Sequence, residues 1–173
     1  MEQVILVDEN DVAKGTMEKM EAHKKAILHR AFSVFIFNSK EEMLLQQRSL
    51  NKYHSGGLWT NSCCSHPRPE EDTLTAAARR LQEEMGFETP IRKVFDFMYK
   101  ANFVNGLTEH EFDHVFVGYY DGEVRPDQKE VRDYVYWPMQ KIDTLLHSQP
   151  ALFNHGFHIA FPKVTDWWKK RVT

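Results

Sequence analysis

The chain has 173 residues, a net charge of −3, 42% hydrophobic and 27% charged residues, enough for one domain with its own core and without the basic excess of a nucleic-acid binder. No stretch approaches the roughly 20 apolar residues of a membrane helix, so no membrane partner is expected. The two cysteines, Cys63 and Cys64, are neighbours, and adjacent Cα atoms about 3.8 Å apart are too close for an ordinary disulfide.

Free thiols and an N-terminus, MEQVILVDEN, without a basic or long apolar segment lead to the expectation of a soluble cytoplasmic protein. Neither repeats nor linkers divide it, so a single domain over 1–173 is expected. Val4–Val7 reads as a first strand, followed by a turn over Asn10–Gly15. Ala31–Phe37, aromatic and β-branched, reads as a strand that turns at Asn38–Glu41 and returns over Met43–Gln47. Arg48–Gly57 is a polar loop, and Leu58–Ser62 a short strand leading to the cysteine pair. Leu74, Ala77, Ala78, Leu81 and Met85 repeat at helical spacing, with Asp72 or Thr73 as cap and Gly86 as stop. Further strands are expected at Ile91–Tyr99, Phe112–Tyr120 and Val131–Trp137, and a turn at Asp121–Gly122. Helices are expected at Lys141–His147 and Ala151–Arg171, the latter broken or bent at Pro162. Helices and strands that do not strictly alternate predict an α+β fold with a mixed sheet between helices.

The central helix carries acid at its C-terminal end, where the dipole disfavours it by about 0.3–1 kcal/mol per carboxylate. Arg79 and Arg80, on the preceding turn, can pair with Glu83 on the solvent side. Glu84 lies roughly 80° off the centre of the apolar stripe, where it can reach a metal in a cleft. In this segment Glu71, Arg79, Leu81, Glu83, Glu84 and Gly86 fall at the spacing of the Nudix box, which the chain therefore resembles. Ser65 stands for the first glycine, Phe87 fills the last apolar position, and Arg80 replaces the first glutamate of the Arg-Glu pair. That glutamate is a metal ligand in Nudix pyrophosphohydrolases, so hydrolysis of nucleoside or other diphosphates becomes the alternative reading.

Two more motifs flank the helix: Trp59-Thr-Asn-Ser-Cys-Cys-Ser-His-Pro67 before it and Glu109-His-Glu111 after it. In this order they closely resemble type I isopentenyl-diphosphate isomerases, a Nudix branch with a degenerate box, and His23 and His29 match that family's two early histidines. On a strand, Glu109 and Glu111 point to one face, where a cation relieves their repulsion; a solvated edge strand is the plainer reading, as a polar helix face is for His23 or His29 alone. Three imidazoles and two carboxylates suit an octahedral Mn²⁺, Mg²⁺ or Zn²⁺, and the resemblance implies His23, His29, His66, Glu109 and Glu111 as that metal site.

Cys64 stands among Asn61, Ser62, Ser65 and His66 and reads as reactive, and Cys63 as structural. A zinc site on the pair and His66 conflicts with the two-to-four-residue spacing of zinc cysteines. The resemblance implies Cys64 and Glu111 as an acid/base pair, Tyr99 as a helper in proton relay, and Lys19, Arg48, Lys52 and Arg80 at the diphosphate. It also implies a second Mg²⁺ on Glu84 and the diphosphate. The family's carbocation-facing tryptophan falls at Phe157, with Trp137, Trp167 and Trp168 as alternatives. The expected partner is thus a small isoprenoid diphosphate, and the expected state a monomer.

Overall fold

The computed structural model describes residues 1–171, so the last two residues of the expected domain lie outside the described residues. Strands β1 (Gln3–Val7) and β2 (Ala13–Glu18) form an antiparallel hairpin and lead into helix α1 (Lys19–Lys25). Strands β3 (His29–Phe37), β4 (Glu42–Arg48), β5 (Trp59–Thr60) and β6 (Cys63–Ser65) precede helix α2 (Thr73–Met85). The remainder comprises β7 (Ile91–Asn102), β8 (Thr108–Tyr119), β9 (Val131–Pro138), α3 (Met139–Ser148), a short 3-10 turn and α4 (His155–Lys170).

The sheet is mixed: β3 runs parallel to β8 and antiparallel to β6, and β7 is antiparallel to β8. On the other side β4 meets β3 only at Ile36–Leu44 and Phe37–Met43, then diverges to pair along its length with β9. Strand alternation distributes the core. Phe35, Phe37, Val115 and Val117 pack toward α3 and α4, whereas Phe32, Val34, Ile36 and Phe116 pack toward α2. The expected α+β architecture, a mixed sheet between helices, is what forms.

Helix α2 begins where Asp72 accepts the Thr75 amide (3.1 Å) and stops at Gly86, whose φ of 77° favours glycine. A side chain there would also strike the Arg125 carbonyl, 2.1 Å from the added carbon. The buried stripe is Ala76, Ala77, Leu81, Glu84 and Met85. Leu74 and Ala78 are exposed, because the stripe is rotated toward Glu84. Three further expectations are corrected. The turn after β1 is shorter than expected and β2 already starts at Ala13. The Cys pair lies within a strand of its own. Helix α4 runs through Pro162, and the interruption comes earlier, at Phe153–Asn154, where Asn154 caps α4 through the Phe157 amide (2.8 Å).

Candidate active site

Four elements converge on a group of imidazoles. Glu18 caps α1 by accepting the Met20 and Glu21 amides (3.0 and 2.9 Å), and His110 of β8 donates to the Ala26 carbonyl at the helix end (3.0 Å). This brings His23 of α1 beside His29 at the start of β3, with ring centroids 5.1 Å apart. His66, just beyond β6, packs 5.0 Å from His29 and 5.9 Å from His23. His23 Nδ1–H donates to the Lys19 carbonyl (2.7 Å) and His29 Nδ1–H to the Ile27 carbonyl (2.8 Å). A carbonyl only accepts, so each Nε2 keeps its lone pair, and both Nε2 atoms are buried without a hydrogen-bond partner.

Glu111 closes the group: its Oε1 lies 3.0 Å from His66 Nε2 and 3.5 Å from His29 Nε2. One donor atom from each of His23, His29, His66 and Glu111 lies within 4.8 Å of the others. Donors bound to one cation at about 2.0–2.2 Å stand up to about 4.4 Å apart, so the group can hold a divalent metal ion. The buried unpartnered nitrogens, each costing about 1–3 kcal/mol if left bare, fit that occupant. Glu109, two residues before Glu111 on the same strand face, belongs to an overlapping group with His23 and His54. His54 came from a loop with no sequence signal.

The alternation of β6 separates the two thiols. Cys63 is fully buried in the α2-side core, and burial pushes its thiol well above the ordinary range. A zinc site joining it to Cys64 and His66 is therefore ruled out by opposite strand faces. Cys64 points the other way, 3.1 Å from Asn61 Oδ1 and 3.6 Å from Ser33 Oγ. Burial, with Asp113 next, pushes its thiol up to about 12. Ser33 in turn donates to Asp113 (2.7 Å), on the same face of β8 as Glu109 and Glu111. The same alternation could have flagged Asp113 in the sequence.

Cys64, Tyr99, Glu109, Glu111 and Phe157 line one inner cavity. Tyr99 donates to Glu111 Oε2 (2.8 Å). Burial works to raise the Glu111 carboxyl, but His29 and His66 hold it well below the usual range. Burial likewise works against protonating His29, yet Glu111 carries it above its ordinary value, whereas burial drops His23 to about 4. Phe157 is 1% exposed, lines the cavity and packs among Phe153 (5.4 Å), Phe161 (5.4 Å) and Phe35 (6.4 Å). Trp168 instead stacks on Phe37 (3.9 Å), Trp167 lies by Arg92, and Trp137 packs on Trp59.

An outer cavity of about 350 Å³ shares Arg48, Cys64 and His66 with the inner one. It brings Lys19, Arg48, Lys52 and Arg80 together with Arg68 and Arg79. Lys52 pairs with Glu130, and Lys19 with Glu2 (2.7 Å). Arg80 reaches Glu84 (2.8 Å), Glu83 (2.5 Å) and Glu130 (3.4 Å). Glu84, 4% exposed, also accepts from Gln46 (3.1 Å) and faces this cavity.

Comparison with known proteins agrees with this arrangement. The NUDIX domain profile matches residues 27–155. The chain is 47% identical over 96% of its length to an isopentenyl-diphosphate Delta-isomerase of Pectobacterium atrosepticum, covering 93% of that protein. A protein of the same name from Burkholderia multivorans is 51% identical over 91% of this chain and 89% of its own. Among solved structures, one from Deinococcus radiodurans superposes with a TM-score of 0.78 at 15% identity, covering 94% of this chain and 98% of that one. A MutT protein from Methanosarcina mazei gives 0.66 at 20% identity, over 84% and 96%. The latter two speak for the fold alone. With a NUDIX domain over most of its length and near-half identity to relatives of one name, the chain belongs to the isopentenyl-diphosphate Delta-isomerase family.

Proposed function

We propose that the chain interconverts isopentenyl and dimethylallyl diphosphate by adding a proton at one carbon and removing another two carbons away, with Cys64 and Glu111 as the acid/base pair. The observation that carries this is the shared inner cavity: thiol, carboxylate and Tyr99 meet there beside the aromatic Phe157, at the inner end of a cation-lined mouth. An alkene is a weak base, and its protonation gives a tertiary carbocation that needs a water-poor pocket and groups on both sides. The Phe157 ring face can stabilise such a cation by about 2 kcal/mol or more once desolvated. Tyr99, hydrogen-bonded to Glu111, holds that carboxylate in place and can pass it a proton.

His23, His29, His66, Glu109 and Glu111 are the residues that would hold the ion, Mn²⁺, Mg²⁺ or Zn²⁺ by donor type. When bound, it supplies charge that orients Glu111 and tunes its acidity. Lys19, Arg48, Lys52 and Arg80 receive the diphosphate. Glu84 is placed for a Mg²⁺ that arrives with the diphosphate. Arg80 in the place of a hydrolase glutamate disfavours cleavage of the diphosphate. A cytoplasmic monomer acting on a small isoprenoid diphosphate completes the reading; none of the described helices is long and apolar enough to cross a membrane.

The test is incubation with isopentenyl diphosphate and Mg²⁺ in D₂O, followed by NMR. Deuterium-bearing dimethylallyl diphosphate is expected. Release of phosphate or pyrophosphate, or no change with a folded, metal-loaded sample, overturns the reading.

A further inference from the structure

We infer that His54 is a sixth protein ligand of the metal centre, closing it with Nε2 beside Glu109. This inference rests on the metal centre proposed above and extends it to a residue outside the five family-matched ligands.

The loop between β4 and β5 carries His54 inward. The residue is 8% exposed, and its Nε2 is buried without a hydrogen-bond partner. Its Nδ1 lies 3.0 Å from the Ser55 hydroxyl, which fixes the ring and leaves Nε2 for the interior. That nitrogen is 3.5 Å from Glu109 Oε2, beyond hydrogen-bond range but within the span of two donors on one cation. His23, His54 and Glu109 place one donor each within 4.8 Å of one another, and His23 is also a member of the group with His29, His66 and Glu111. The two groups share His23. Two separate ions there would both draw on the single free lone pair of His23.

One ion collecting all six donors would satisfy the three orphaned nitrogens of the two groups, those of His23, His29 and His54. Six is also the number an octahedral Mn²⁺ or Mg²⁺ requires. The chemical consequence is definite. A centre filled by six protein donors has no open position for substrate or water, as in closed structural sites. An ion so held would act through the carboxylates that hold it, Glu109 and Glu111, which line the inner cavity. The competing view is that His54 is a packing imidazole, since it stacks on Phe103 (4.5 Å, 11°) and meets Tyr53 edge-on (4.4 Å).

His54→Phe separates the two, because it keeps the stack and removes the nitrogen. Mn²⁺ alone is titrated into metal-free wild type and variant, with calorimetry for affinity and electron spin-echo modulation for the number of bound imidazole nitrogens. One Mn²⁺ per chain, a tenfold or greater loss of affinity in the variant, and one fewer nitrogen coupling are expected. Should His54→Phe fail to fold in the metal-free state, His54→Gln provides the same readings. Unchanged affinity with an unchanged nitrogen count, or two ions per chain, overturns the inference while leaving the isomerase reading intact. A wild type that binds no Mn²⁺ removes the centre itself, and the inference with it.

Discussion

Replacing Cys64 by alanine should abolish turnover while leaving the protein folded. The sulfur makes two polar contacts, with Asn61 Oδ1 at 3.1 Å and Ser33 Oγ at 3.6 Å. Neither partner is stranded by its loss. Asn61 Oδ1 still receives the Thr60 hydroxyl (2.9 Å), and its amide still donates to the Val34 and Cys63 carbonyls (3.0 Å each). Ser33 still donates to Asp113 (2.7 Å). The stability cost is therefore one weak hydrogen bond, about 0.5–1.5 kcal/mol. Removing a positioned proton donor or acceptor costs about 10²–10⁴-fold in rate, or about 2.7–5.4 kcal/mol of barrier. Cys63→Ala supplies the contrast: it leaves a gap in the α2-side core, costs about 1–2 kcal/mol of stability, and should keep its activity. The assay is deuterium incorporation by NMR, beside denaturant melts and metal analysis of each variant. A folded, metal-loaded Cys64→Ala protein within tenfold of wild type would falsify the assignment, and a dead but folded Cys63→Ala would transfer the role to its neighbour.

Tyr99→Phe removes a hydrogen bond to an ionised carboxylate, about 1.5–3 kcal/mol, so kcat should fall roughly 10–100-fold with metal content unchanged; equal kcat in steady-state assays dismisses the tyrosine. Arg80→Gln removes a cation from the outer cavity and should raise KM for isopentenyl diphosphate about tenfold or more, without releasing pyrophosphate; an unchanged KM means the diphosphate binds elsewhere. Burial sets the folded pKa of His23 at about 4, below its ordinary 6.5. The unfolded chain thus binds the extra proton between those values, so this residue's contribution to stability is complete above about pH 6.5 and is lost toward pH 4. In the metal-free protein, His23→Gln should lose less stability than wild type between pH 7 and pH 5 in urea melts; parallel losses would contradict the assignment.

The strands and helices were legible because their patterns are local: the β3 and β8 sequences are rich in β-branched and aromatic residues, and α2 has a cap, a period and a glycine stop. Alternation along β8 was enough to put Glu109 and Glu111 on one face. What sequence could not supply was the outcome of non-local contacts. The α2 stripe turned toward Glu84 because that carboxylate finds Arg80 and Gln46 inside, so a charged residue sits where periodicity alone favoured Ala78. Pro162 did not break α4, because packing of Phe157, Ala160, Phe161 and Val164 against the sheet holds both halves of the helix. His54 was invisible for a related reason. A lone histidine in a polar loop carries no period, and only the closure of that loop over β8 brings it to Glu109.

The geometry also explains how a box built for one reaction accommodates another. All three carboxylates of the degenerate box, Glu71, Glu83 and Glu84, are engaged by arginines of the helix that carries it. Arg79 grips Glu71 through two bonds of 2.8 Å and reaches Glu83, while Arg80 holds Glu83 and Glu84. Acids so neutralised are poor at gathering several metal ions around a phosphorus atom. The imidazoles able to hold a metal lie elsewhere, on α1, β3 and the end of β6, clustered about a carboxylate of β8. The site is thereby divided along its depth. Cations at the mouth can grip a diphosphate as an anchor, and the groups able to move protons sit further in, where the carbon chain would reach. Arg80 contributes twice to that division: it stands where the hydrolase box has a carboxylate, and it brings a positive charge to the outer cavity.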